Sequence, residues 1–184
     1  LKSVLIIVNQ CPSVLNFRIK RLNIMKIIYH CFGGSHSSVT AAALHLGLID
    51  KHRPPTVDEL MSLPYFDKTT EADFGSIRFM GIDEYGNEVY VLGKKSMSER
   101  LTHILNGLAQ ILGVEDQVLV VNAMDRVNIS MKLGGFTSRR IGLPSVGRPV
   151  VSRGTIKAFF QLVNLVEITR LKALRTKQDA GDII

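Results

Sequence analysis

The sequence predicts a single α/β domain of three layers, with a mostly parallel sheet and an inserted β-hairpin. Its 184 residues are 46% hydrophobic, which is enough for one buried core. Short apolar, β-branched runs alternate with segments of helical periodicity. The resulting order is strand, helix, hairpin, helix, strand, helix, strand, helix, which is typical of layered α/β proteins.

The first predicted strand is Lys26–Cys31, an apolar run of the kind found in the middle of a sheet. Residues Ser38–Leu46 then read as a helix that Gly47 ends, because glycine suits the left-handed position after a helix. Thr56 and Glu59 have the spacing of a capping box and predict a short second helix.

A hairpin is predicted next, from Ser76–Ile82 and Glu88–Leu92 around a glycine-containing turn. Ser96 and Glu99 predict another capping box. The helix after it is marked by apolar residues at helical spacing up to Gly113: Leu101, Ile104, Leu105, Leu108, Ile111 and Leu112.

The second half of the chain is predicted to alternate strand and helix. Gln117–Val121 lacks polar alternation and indicates a strand covered on both faces. A helix over Arg126–Leu133 and a strand over Arg148–Ser152 follow. From Thr155 a long terminal helix is marked by Ile156, Phe159, Phe160, Val163 and Val166.

The domain is expected to occupy residues 25–175, between an extension and a polar tail at 176–184. Met25 leads directly into the first strand, whereas the upstream apolar run Val4–Val8 is shorter than a signal-peptide core. We interpret residues 1–24 as upstream translation from a non-standard start. The alternative is an extra edge strand over Ser3–Val8.

Composition argues against several classes of protein. No apolar run approaches the roughly 20 residues that cross a membrane. The two cysteines, Cys11 and Cys31, form no disulfide framework, which favours a cytoplasmic location. No three histidine, cysteine or acidic residues have metal-site spacing, so no metal is expected.

The net charge of +7 is concentrated in the second half of the chain. Residues 126–177 hold eleven lysines and arginines against one acid, a balance of +10, which leaves −3 elsewhere. This asymmetry favours an anionic partner such as a phosphorylated small molecule or nucleotide, and the alternative is a solvated basic face. Nucleic acid is disfavoured because few aromatic residues accompany the arginines.

Candidate sites are expected where parallel strands end, since ligands of open α/β sheets bind there. Three loops qualify: residues 31–38, 122–128 and 153–155. The predicted ligand-binding residues are Gly33, Gly34, Ser35, Ser37, Ser38, Asn122, Asp125, Arg153 and Thr155. No particular cofactor is identified.

The loop after the first strand has the features of an anion site. Gly33 and Gly34 allow tight folding with inward amides, and the following helix N-terminus is partly positive. His36 and Arg153 would neutralise the ligand. The alternative is a plain turn with serine N-caps.

Two nucleotide-binding patterns match only in part. A Walker loop aligned on Ser35-His36-Ser37 has His36 in place of its lysine and His30 in place of its first glycine. Residues 122–125, NAMD, lack the lysine of the guanine-reading N-K-x-D pattern.

A third pattern centres on Cys31. Residues 31–38, CFGGSHSS, resemble the C-x-x-G-x-x-[ST]-S loop of IIB components of the sugar phosphotransferase system, in which the cysteine is phosphorylated. They also resemble the C-x5-R loop of small tyrosine phosphatases, but Ser37 stands at the arginine position. The resemblance implies Cys31 as nucleophile, and His36 could transfer the proton. The alternative is an inert, buried thiol.

Four long stretches identify a family resemblance over most of the chain: KIIYHCFGGSHSSVTAAALHLGL, LPYFDK, GIDEYGNEVYVLG and LGGFTSRRIGLPSVGRPVVSRGT. They are similar to a bacterial domain-of-unknown-function family numbered 3189. That resemblance implies no activity.

Three functions therefore stay open. The chain could bind a phosphorylated small molecule or nucleotide at the Gly/Ser-rich loop, with transfer or hydrolysis. It could be a phospho-relay or thiol protein that uses Cys31. It could also be a non-enzymatic module that docks an anionic partner through its basic half.

Overall fold

The structure is a computed structural model that describes residues 24–97, 99–124 and 154–179. These ranges contain four strands, four helices and a helical turn at residues 154–157 just before the last helix. The strands are β1 (Lys26–Cys31), β2 (Ile77–Ile82), β3 (Glu88–Gly93) and β4 (Val118–Asn122). The helices are α1 (Ser37–His45), α2 (Val57–Ser62), α3 (Arg100–Ile111) and α4 (Phe159–Asp179). Short 3-10 turns occupy Glu71–Asp73 and Glu115–Gln117.

The strands form one mixed sheet in the order β2-β3-β1-β4. β1 pairs in parallel with both β3 and β4, and β2 pairs antiparallel with β3. The predicted α/β domain with a mostly parallel sheet and a hairpin is therefore confirmed. The register places Cys31 beside Gly93 and His30 beside Asn122, so three carboxyl ends meet at one edge of the sheet.

Helices cover both faces of this sheet. On one face Ile27, Tyr29 and Val91 pack with buried residues of α1 and α4. On the other face Ile28 and Leu92 pack against Leu101 of α3. The alternation along β1 follows from the two-residue repeat of a strand, which sends neighbouring side chains to opposite faces.

Several local signals act as the sequence indicates. Gly47 has φ +67, and Gly47 N–H and Leu48 N–H donate to the carbonyls of Leu44 and Ala43, so α1 ends in a Schellman motif. The capping box of Thr56 and Glu59 is present at α2.

The second predicted capping box is wrong. α3 begins at Arg100 and its N-cap is Glu99, which makes no side-chain capping bond. The Glu99 carboxylate instead accepts from Asn122 Nδ2 at 2.8 Å and lies 3.6 Å from Lys94 Nζ. These contacts across the sheet edge compete with the local cap.

Burial also differs from the sequence pattern. β4 is mostly half-buried, and Val121 is its one buried residue, although the sequence pattern predicted cover on both faces. Phe159 and Val166 of α4 are buried as expected, but Phe160 is 58% exposed. α4 continues to Asp179, so residues 176–179 of the predicted tail are helical. The predicted elements over Arg126–Leu133 and Arg148–Ser152 lie outside the described residues.

Candidate functional site

The loop between β1 and α1 is fixed against the end of β3. Lys94 N–H donates to Cys31 O at 2.9 Å, and Lys95 N–H donates to Phe32 O at 2.8 Å. Gly34 has φ +64, and a Cβ built on it would lie 2.5 Å from Gly93 N. Because no side chain fits at that distance, glycine at position 34 allows the loop to lie directly on β3.

The donors of this loop converge on the Cys31 sulfur. Gly34 N–H donates to Cys31 Sγ at 3.1 Å, and Ser38 Oγ lies 3.1 Å from the same sulfur. The Ser37 hydroxyl and the His36 amide also bond it. Gly34, His36, Ser37 and Ser38 therefore all interact with this one atom.

These hydrogen bonds change the acidity of the thiol. Burial raises the pKa of Cys31, but the bonds from Ser38, Ser37 and His36 outweigh burial, so the net pKa is lowered. Hydrogen bonds to the charged form favour it, and the N-terminus of α1 adds a positive dipole end. The site stabilises a thiolate although Cys31 is only 4% exposed.

The loop serines are not simple helix caps. The N-cap of α1 is His36, which makes no side-chain capping bond. Ser35, Ser37 and Ser38 are all buried, and the last two hydroxyls bond the sulfur. In this structure the group that the loop donors surround is therefore the Cys31 sulfur.

A segment after α2 packs on the loop. Asp67 N–H donates to Ser35 O at 3.1 Å, and Asp67 Oδ1 lies 3.1 Å from His36 Nε2. The His36 ring also meets Phe66 edge to face, with centroids 5.3 Å apart. The Asp67 backbone has φ +53, a strained conformation for a residue with a side chain. Asp67 thus fixes both the backbone and the imidazole of the loop.

Arg78 brings a cation to the loop from β2. Its Nη2 donates to Gly34 O at 2.6 Å and to Thr69 Oγ1 at 2.8 Å. The guanidinium also lies 4.6 Å from the centroid of the Tyr65 ring. Neither Asp67 nor Arg78 was selected from the sequence, although Asp67 belongs to the LPYFDK stretch. A lone arginine in a strand carries no local signal.

The other predicted site residues lie elsewhere or outside the described residues. Asn122 ends β4 beside His30 and bonds Glu99 and the Met124 amide. Thr155 is fully buried in the helical turn at residues 154–157. Asp125 and Arg153 are not among the described residues, so their predicted roles stay predictions.

The described residues were also compared with the requirements of a metal site and of a membrane span. No three or more of their histidine, cysteine or acidic residues are arranged to hold a metal ion. None of their helices combines the length and apolar character that a membrane span needs.

Comparison with known proteins places the chain in a family. The model of a family described as protein of unknown function (DUF3189) matches residues 26–171. The chain belongs to this family. The DUF3189 match contains the whole Cys31 loop, Asp67 and Arg78, but the description assigns no activity to them. No curated protein and no solved structure gave a significant match.

Proposed function

We propose that Cys31 is a thiolate nucleophile that accepts the phosphoryl group of a phosphorylated small molecule or nucleotide. The observation that carries this proposal is the set of donors around Cys31 Sγ, which lowers the pKa of the thiol against the effect of burial. A purely structural cysteine needs no such set, because a neutral thiol packs as a small hydrophobe.

The similarity of the loop to the IIB phosphotransferase pattern favours phosphorus over carbon as the target. In the proposed step the Cys31 sulfur forms a bond to phosphorus, and the bond between phosphorus and the leaving oxygen breaks. The leaving oxygen takes a proton from His36, whose protonated form Asp67 would stabilise. The sulfur electron pair forms the new bond and the leaving oxygen takes the pair of the broken one, so no atom changes oxidation state and no oxidant or reductant is needed.

Non-covalent binding of the same ligand is the second candidate. The burial of Cys31 favours it, because a residue that is only 4% exposed offers a reagent little access to its sulfur. The third candidate, docking through the basic half at residues 126–177, involves residues both inside and outside the described ranges and stays a prediction.

One experiment separates these functions. The full chain with Cys11→Ser keeps Cys31 as its single thiol, since the sequence has two cysteines. We expect alkylation by iodoacetamide at neutral pH to be faster than for an unperturbed thiol, and inorganic phosphate to slow it. Incubation with acetyl phosphate should add one phosphoryl group by intact mass, and Cys31→Ser should abolish the adduct. If Cys31 is alkylated slowly and phosphate does not protect it, the proposal that Cys31 is a nucleophile is wrong.

A further inference from the structure

A second polar cluster lies across β1 from the Cys31 thiol. His30 is fully buried on the α3 face, and its Nε2 lies 3.1 Å from Thr102 Oγ1 in the first turn of α3. Lys94, directly after β3, is only 5% exposed. Glu99, the N-cap of α3, contacts both Lys94 and Asn122. Three strand ends and one helix end therefore contribute to the cluster.

Two buried groups of the cluster, the His30 ring and the Lys94 ammonium, have incomplete hydrogen bonding among the described residues. His30 Nδ1 is buried and has no hydrogen-bond partner. In the described part of the chain, the contact found for Lys94 Nζ is Glu99 Oε1 at 3.6 Å, longer than a hydrogen bond. An ammonium group has three hydrogens to donate, and buried polar groups are normally paired. These unsatisfied groups point to a missing acceptor.

The position of the cluster determines the charge of that acceptor. α3 is 12 residues long and directs its positive dipole end toward the cluster. The N-terminus of a helix next to a lysine and a hydroxyl is a favourable place for an anion. Glu99 partly fills this role, but it is 56% exposed and makes no capping bond, so it can leave for solvent.

We propose that Lys94, His30 and the first turn of α3 bind a small oxyanion of the phosphate type, as a second site separate from the Cys31 loop. The anion accepts hydrogen bonds from Lys94 Nζ and His30 Nδ1–H. When Nδ1 carries the proton, His30 Nε2 accepts a hydrogen bond from the Thr102 hydroxyl. Glu99 is displaced from Lys94 when the anion enters.

The test follows the His30 ring directly. The full chain is labelled with ¹⁵N-histidine, and His30→Gln assigns one of the five histidines. Titration with inorganic phosphate at constant ionic strength should shift His30 Nδ1 saturably. Lys94→Met should weaken binding about tenfold, the loss of roughly one charge-assisted bond. Lys95→Met is the matched control, because Lys95 is 52% exposed and pairs with Glu71, so it should leave the affinity unchanged.

Glu99→Gln provides an independent test that does not risk the core. It removes the competing carboxylate and should tighten phosphate binding, which a merely structural Glu99 would not do. Cys31→Ser should leave the His30 response intact, so failure of the thiolate proposal is distinguishable from failure of this one. No His30 shift with phosphate, or unchanged affinity in Glu99→Gln, would overturn the second site.

Discussion

Gly34 and Gly93 pack backbone against backbone where the Cys31 loop meets β3. A Cβ on Gly34 would lie 2.5 Å from Gly93 N, and one on Gly93 would lie 2.9 Å from Gly33 O. Neither glycine has room for a methyl group. This contact sets the height of the loop above the sheet and holds Gly34 N–H close enough to bond Cys31 Sγ.

Gly34→Ala should therefore destabilise the protein and disturb the thiol. Alanine meets rigid backbone and also inherits the left-handed φ of +64, so we expect a loss of about 2–4 kcal/mol in the free energy of unfolding. Urea denaturation measures this loss. Gly107→Ala is the control, because a Cβ there meets nothing within 4 Å and α3 should gain up to about 1 kcal/mol. Equal effects of the two substitutions would contradict the close packing.

Tyr29→Phe should lower the free energy of unfolding by about 1–2 kcal/mol, because it removes one end of a buried chain of hydrogen bonds. The Tyr29 hydroxyl lies 2.8 Å from His45 Nδ1, and His45 Nε2 lies 3.0 Å from Asp83 Oδ2. Burial raises the pKa of Asp83, but hydrogen bonds from Asn87, from His45 and from the backbone amide of Tyr85 lower it overall. The carboxylate is therefore ionised and accepts a hydrogen bond from His45 Nε2–H. Nδ1 must then accept the Tyr29 hydroxyl, and phenylalanine leaves it unpaired.

The control for this substitution is Tyr85→Phe, since the Tyr85 ring is 47% exposed. Loss of its hydroxyl should change the free energy of unfolding by less than about 0.5 kcal/mol. If both tyrosine substitutions are equally mild, the chain from Tyr29 to Asp83 does not contribute to stability.

The sequence predicts features that depend on residues close together in the chain better than contacts between distant residues. β1, the Schellman end of α1 and the capping box of α2 depend on residues a few positions apart, and all were predictable. The pairing of Cys31 with Ser38 spans seven positions, and the sequence correctly placed both in one loop. It could not foresee that the serines bond the thiol rather than cap the helix.

The site residues that the sequence did not indicate, Asp67 and Arg78, lie far along the chain from the loop that they contact. Asp67 reaches His36 over 31 positions, and Arg78 reaches Gly34 over 44. Their placement depends on how β2 pairs with β3 and where the segment after α2 crosses the sheet edge, which no local pattern encodes. The failed capping box at Glu99 has the same origin, because Asn122 and Lys94 compete for its carboxylate.

Stability should fall as the pH drops from about 6.5 toward 4. Burial, helped by the charge of Lys94, lowers the pKa of His30 from 6.5 to about 4, and burial also lowers the pKa of His45. Below pH 6.5 the unfolded chain therefore takes up protons that the folded chain refuses. The stability that these neutral histidines contribute is fully present at pH values above their pKa in the unfolded chain. It is lost as the pH falls toward their pKa in the folded chain.

The measurement is urea denaturation at about pH 7.5 and about pH 5.5. His30 alone should contribute a loss of roughly 1 kcal/mol over this interval, and His30→Gln should remove that part of the pH dependence. His52→Gln is the control for the loss of an imidazole, because His52 is exposed and its substitution should change the free energy of unfolding by less than about 0.5 kcal/mol. An unchanged slope in His30→Gln would mean that His30 does not stay neutral in the folded protein.

Ser38→Ala should raise the pKa of Cys31. The Ser38 hydroxyl lies 3.1 Å from the sulfur, and its bond favours the thiolate more than the neutral thiol. A charge-assisted hydrogen bond of about 1.5 kcal/mol corresponds to roughly one pKa unit. In the Cys11→Ser background, the pH at which the alkylation rate is half-maximal should move upward by about that amount.

Ser62→Ala is the matched control for the lost hydroxyl. Ser62 is exposed at the end of α2 and its hydroxyl donates to Glu59 O, so its removal should leave the alkylation profile of Cys31 unchanged. A general loosening of the loop in Ser38→Ala would raise the rate at every pH without moving the midpoint. A shifted midpoint with a similar plateau would show that the hydroxyl acts on the charge of the sulfur. An unmoved midpoint would mean that Ser38 only fills space beside the thiol.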